Sequence, residues 1–282
     1  MSGMNLTLLS GMDPKVPRAG LPGIEQRFVG PDGQRTSYLD AAGAGASAET
    51  ILFIHGAGMS AQSWTEQLRG LRLHLRAVAI ELPGHGASDP GPNLTLEGYA
   101  DIAATLIETL GVGPVFVAGH SLGGGVALMI AARRPDLVKG LVLVSSCARL
   151  PQNNTGMDAL LGYVPRPLRT MLLLSTAKRI LFGLGAPGRA VQLALNDLRS
   201  CPPETVRSDI AASRAMDLEH AAQGVRVPAL ILCGTEDMLT PVALSQRLAE
   251  LIPGSPEKLG TLIESDLANW KKLIADAKLI FD

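Results

Sequence analysis

Apolar residues fall along this chain in short unbroken runs rather than in alternation. Ile51-Leu52-Phe53-Ile54, Ala77-Val78-Ala79-Ile80, Val115-Phe116-Val117-Ala118 and Leu141-Val142-Leu143-Val144 are each bounded by glycine, proline or a polar residue. Runs of this kind fit parallel strands covered on both faces. Between them the pattern turns helical: Leu96, Tyr99, Ile102, Ala103, Leu106, Ile107 and Leu110 share one face of a helix predicted over 95–110. Further helices are predicted at 63–69 and from the turn after Ala118 to about Arg134. Upstream, Glu25–Val29 and Thr36–Ala41 read as two strands joined through Pro31-Asp32-Gly33. The strand–helix alternation stops over 150–207, a stretch rich in Leu, Met and Arg with turn signals at Pro165, Pro167, Gly183, Gly185, Pro187 and Pro202-Pro203. It resumes with Val227-Pro228-Ala229-Leu230-Ile231-Leu232-Cys233-Gly234 and a helix at Val242–Leu251. The expected organisation is an amino-terminal arm (1–23), an α/β core (24–149 and 208–254), a helical cap over the sheet's carboxyl edge (150–207) and a helical tail (255–282).

Composition narrows the function classes. The 282 residues are 46% apolar, 18% charged and 4% aromatic, with a net charge of −1. That length suits one α/β domain with an insertion, and the balanced charge gives no footprint for nucleic acid. Cys147, Cys201 and Cys233 are widely spaced and lack a C-x-x-C pair, so free thiols in a reducing compartment are expected, with no zinc site. Met1 to Gly20 has no signal-peptide pattern, and no apolar run approaches the ~20 residues of a membrane span. A soluble, cytoplasmic protein with no metal or cofactor is the expectation.

The chemistry centres on Gly119-His120-Ser121-Leu122-Gly123. A serine on a tight turn between an apolar strand and a helix projects its hydroxyl into a cleft, with glycines two positions away letting neighbouring backbone pass. With this elbow, the loop His55-Gly56-Ala57-Gly58, the loop Pro83-Gly84-His85-Gly86-Ala87-Ser88-Asp89 and the segment Gly234-Thr235-Glu236-Asp237, the chain resembles the α/β-hydrolase fold family over roughly residues 24–254. The resemblance implies a mostly parallel sheet with helices on both faces and a cap. It implies Ser121 as nucleophile, the N–H groups of Ala57 and Leu122 as oxyanion hole, and Asp237 as the acid of a Ser…Asp…His series. His55, Gly56, Met59, Met157, Leu160 and Met238 are candidates for the substrate pocket.

The pattern then breaks. The family's general base is a histidine on a loop one strand beyond the acid, but the last of the five histidines here is His220, before Asp237. His85 and His120 are the candidate surrogates, His85 ahead on loop position. In place of a last strand, Leu259, Leu262, Ile263, Leu267, Trp270, Leu273, Ile274 and Ala277 lie on one face of an amphipathic helix, with Ser255 as its cap and Pro256 in its first turn. The closing stretch of about 28 residues, most plainly 266–277, resembles the carboxyl-terminal helix of tricarboxylate-type periplasmic solute receptors; a fusion near Gly254 is the expectation, with a diverged native tail open beside it.

A carboxylic-ester hydrolase acting on apolar acyl or aryl esters is the expected function, its turnover impaired by the absent base. A catalytically silent ligand-binding relative, and a C–C bond hydrolase or peptidase, stay open beside it. A homodimer through the tail helix or an exposed sheet edge is the expected partner arrangement.

Overall fold

The computed structural model describes residues 22–31, 33–41, 49–151, 186 and 188–253. The amino-terminal arm up to residue 21, the pocket candidates Met157 and Leu160, and the tail helix with its dimer surface lie outside them.

Within the strands, successive side chains part to opposite sides, and both sides are covered. In β3 (Thr50–Ile54), Ile51 and Phe53 pack with Trp64, Leu68 and Leu71, the last two on helix α1 (Thr65–Leu71). Leu52 and Ile54 face the other way, into a larger core with Leu106 and Ile107 of α2 (Leu96–Leu110) and Val126 and Ile130 of α3 (Leu122–Arg133). This double burial is why the strand sequences read as continuous apolar runs rather than alternating ones.

Seven described strands form one sheet in the order β1-β2-β4-β3-β5-β6-β7. β1 (Glu25–Val29) and β2 (Thr36–Ala41) are antiparallel to their neighbours, whereas β3, β4 (Arg76–Ile80), β5 (Val115–His120), β6 (Val138–Val144) and β7 (Ala229–Leu232) run parallel. The chain leaves β3 toward β4 on one side and returns to place β5 on the other. The crevice between the carboxyl ends of β3 and β5 is therefore the switch point where open α/β sheets hold their ligands. The loop after β3 and the Ser121 turn flank it.

Beyond β6, α4 (Gly188–Ser200) and α5 (Pro203–Ala215) precede α6 (Glu219–Gly224), with α7 (Val242–Leu251) after β7. Pro202-Pro203, read from sequence as a turn signal, opens α5, as proline suits a first helical turn. The cap boundary placed at 207/208 falls inside α5, whose continuation Met216 and Leu218 joins the main core. Among the described residues no helix is long and apolar enough to cross a membrane.

Candidate active site

Ser121 sits between the last residue of β5 and the first of α3, with φ +52° and ψ −118°. For a residue bearing a Cβ this left-handed backbone costs on the order of 1–3 kcal/mol and persists only where its surroundings enforce it. They do: the Ser121 N–H donates to Val144 O at 3.0 Å, while its carbonyl accepts from Gly124 N–H at 2.9 Å and from the Ser146 hydroxyl at 3.0 Å. The flanking glycines are dictated by approach. A Cβ on Gly119 would run into the Gly123 carbonyl, and one on Gly123 would meet the carbonyl oxygens of Ile54 and His55.

Those contacts bring the start of α3 against the end of β3. A Cβ on Gly56 would likewise stand 3.4 Å from the His120 carbonyl oxygen, so the β3 loop and the elbow touch at two points. Leu122 is the first residue of α3, and its N–H is one of those a helix start leaves unpaired. Neither the Leu122 N–H nor that of Ala57 has an acceptor among the described residues. Both open donors lie on segments that flank the Ser121 turn.

Asp237 lies on the loop after β7. Its Oδ1 accepts from Leu239 N–H at 3.0 Å and Thr240 N–H at 2.8 Å, and its Oδ2 from the Thr240 hydroxyl at 2.9 Å. Partial burial pushes its pKa up, but these donors, with the Ser145 hydroxyl, outweigh it and hold the carboxyl below the usual range. Ser145 is itself at φ +46°, the other non-glycine residue with positive φ among the described residues, and its N–H donates to Leu232 O at 2.8 Å.

All five histidines are described, and none bonds the Ser121 hydroxyl. His74 and His220 are exposed. His55, placed from sequence in the substrate pocket, has no exposure at all: it takes Leu82 N–H on Nε2 at 3.1 Å and sets Nδ1 2.9 Å from Gly56 O. It braces the loop from behind, and burial, with His85 nearby, pushes its pKa down to about 3, so it is neutral. His120 is neutral too, because burial outweighs the charge of Asp237. His85 differs. Its Nδ1 faces Pro83 O at 3.1 Å and its Nε2 faces Asp209 Oδ2 at 2.9 Å. Two acceptors require a proton on both nitrogens, and although burial opposes the charge, Asp209 and then Cys201 raise the pKa to about 10. A doubly protonated ring has no lone pair to take a proton, so His85 does not fit the surrogate-base role expected of it.

Of the remaining pocket candidates, Gly56 is buried against His120, Met59 is half-buried beside the loop, and Met238 is 69% exposed on the acid loop. A cavity of about 290 Å³ lies instead between the segment after β6 and helices α6 and α7, and none of the sequence-predicted site residues lines it. Sequence reasoning missed Asp209, Tyr99, Asp197 and Ser145. The first had a legible signal: Thr205, Asp209, Ala212 and Met216 fall at helical spacing, which puts a carboxylate on the inward face of α5.

Comparison with known proteins agrees with this architecture. Residues 51–262 match the alpha/beta hydrolase family, and the chain belongs to that family. The chain is 27% identical over 222 residues to an (E)-2-((N-methylformamido)methylene)succinate hydrolase of Acinetobacter baylyi, covering 76% of this chain and 81% of that protein. It is 30% identical over 214 residues to a pimeloyl-(acyl-carrier protein) methyl ester esterase of Neisseria meningitidis, covering 73% and 67%. The crystal structure of an enol-lactonase from Burkholderia xenovorans superposes with a TM-score of 0.65 at 21% identity, covering 86% of this chain and 98% of that one. The family match runs past Gly254 to residue 262, across the junction where the sequence implied a fusion, so the fusion and the solute-receptor resemblance are not supported.

Proposed function

We propose that this protein is a serine hydrolase of carboxylic esters, with Ser121 as its nucleophile. The observation that carries the reading is the strained Ser121 turn set beside the open N–H groups of Ala57 and Leu122. In this scheme the Ser121 oxygen adds to the ester carbonyl, the developing oxyanion accepts from both N–H groups, and the alcohol leaves an acyl-serine that water hydrolyses. Two such donors are worth ~3 kcal/mol each in the transition state. That two relatives are named for hydrolysis, one of them of a methyl ester, supports the substrate class.

The Ser121 proton has no imidazole to receive it. Asp237 stands in the acid's place, but its carboxylate is engaged by its own loop. Loss of a triad member lowers turnover by ~10⁴ to 10⁶ and leaves roughly 10³ over water from the oxyanion hole and binding. Hydroxide takes the proton, and the rate follows hydroxide concentration.

Short aryl esters and a fluorophosphonate test the reading. Expected are slow turnover proportional to hydroxide and stoichiometric labelling, both abolished in Ser121→Ala. Turnover unchanged in that variant overturns the assignment. An inflection near pH 6–7 would mean that an imidazole acts as base, supplied by a second copy if the rate also climbs with protein concentration. That the Ser121 hydroxyl has no partner among the described residues favours one other reading, a ligand-binding protein without turnover, for which labelling is absent.

A further inference from the structure

The cap helices reach the catalytic face through two buried carboxylates. Asp209 of α5 accepts the Gly58 N–H on Oδ2 at 2.8 Å, across 151 positions of chain. Asp197 of α4 accepts both the N–H (3.0 Å) and the hydroxyl (2.8 Å) of Ser60. Gly58 and Ser60 belong to the loop that carries Ala57. Their contacts continue in the packing: a Cβ on Gly58 would meet Leu198 of α4 and Val206 of α5, and one on Gly84 would meet Thr205 of α5. Behind the loop, Asp209 is itself fixed by Tyr99 OH at 2.6 Å on Oδ1 and by the His85 imidazolium on Oδ2.

A carboxylate this well donated to is an expensive thing to bury, and no part of the Ser121 chemistry uses its charge. Its geometry has a simpler use. The Gly58 N–H is the peptide next to the one that must point at an oxyanion. Anchoring it aims the Ala57 N–H, because adjacent peptide planes share the two torsions of Ala57. We propose that Asp209 is a positioning residue of the oxyanion hole: through Gly58 it orients the Ala57 N–H, so the hole is assembled only while α5 is docked. This rests on the assignment of Ser121 as nucleophile, and it makes cap docking and oxyanion binding one event.

The test uses the full chain and two readouts. The first is the second-order rate of Ser121 labelling by a fluorophosphonate, whose phosphonyl oxygen must enter the hole. Asp209→Ala lowers that rate more than tenfold, whereas Asp209→Asn, whose carboxamide oxygen still accepts from Gly58, stays within about threefold of the parent. Leu106→Ala, a core truncation in α2 away from the loop, lowers Tm without slowing the labelling of folded protein. Because Asp209→Ala strands the His85 charge, Asp209→Ala combined with His85→Gln provides a second variant with the same expected loss. The second readout is hydrogen exchange at the Gly58 amide, slow in the parent and in Asp209→Asn and fast in both Asp209→Ala variants. Gly58 protection unchanged in the two Asp209→Ala variants overturns the proposal, as does labelling at the parental rate in them. A parent that is never labelled while its Gly58 amide loses protection in Asp209→Ala instead sinks the serine-hydrolase reading and leaves the loop anchor standing.

Discussion

His85 Nε2 stands 2.9 Å from Asp209 Oδ2, and neither side chain has any solvent exposure. The pair ties stability to pH in a direction that can be worked out. With the folded pKa of His85 raised from 6.5 to about 10, its contribution is complete below 6.5 and is lost as pH rises toward 10. His55 has the opposite sign. Its folded pKa of about 3 lets the unfolded chain bind the proton first, so stability is lost as pH falls from 6.5 toward 3. Below the ordinary carboxylate value of 3.8, protonation of the depressed Asp209 and Asp237 adds to that loss. Tm plotted against pH is therefore expected to peak near 6.5 and to fall on both sides. In Asp209→Asn the alkaline fall flattens, because His85 loses the carboxylate that raised it and keeps only the smaller contribution of Cys201. An alkaline limb as steep in that variant as in the parent contradicts the ion pair.

The strain at Ser121 is measurable by relieving it. Glycine adopts φ +52° freely, so Ser121→Gly removes about 1–3 kcal/mol of strain while adding about 0.5–1 kcal/mol of unfolded-state entropy. A net gain of about 1 kcal/mol is expected, with a Tm above that of Ser121→Ala and no labelling in either variant. Equal Tm values for the two would mean that the turn holds no strain.

Gly123 permits no side chain at all. A methyl there would press on the carbonyls of Ile54 and His55, and these are backbone atoms at the end of a central strand. Gly123→Ala should cost about 1–3 kcal/mol in chemical denaturation. By pushing the start of α3 away from the β3 loop it should also slow Ser121 labelling at least tenfold. A destabilised variant that labels at the parental rate would separate the glycine from the oxyanion hole.

How much of this was legible beforehand differs between layers. The parallel sheet could be read because Ile51 to Ile54 and Leu141 to Val144 must bury both faces, and only apolar residues do that. The elbow could be read because Gly119 and Gly123 are constrained by local approach, which leaves a mark in the sequence. The Asp209 anchor left a weak mark only: its partners Gly58, His85 and Tyr99 lie 110 or more positions away, and nothing in a linear pattern pairs them. The same distance hid the true state of His85. Its loop position suggested a base, whereas a carboxylate contributed by α5, more than a hundred residues on, makes it a cation.

Asp237 separates a working acid from a loop brace. In a complete Ser–His–Asp series the carboxylate acts through the histidine it orients, and neutralising it lowers turnover about 10⁴-fold. Here its oxygens are taken by the Leu239 and Thr240 N–H groups and the Thr240 hydroxyl, and no described imidazole bonds to it. Asp237→Asn keeps one accepting oxygen and loses charge-assisted bonds that typically contribute about 1.5–3 kcal/mol each. A lower Tm is therefore expected, most marked above pH 3.8, where the parent carboxylate is ionised in both folded and unfolded chains. Ester turnover, measured on folded protein, should fall less than tenfold. A loss approaching 10⁴ would mean that Asp237 orients a base after all, and pH–rate profiles of the parent and variant would then have to differ by one titrating group.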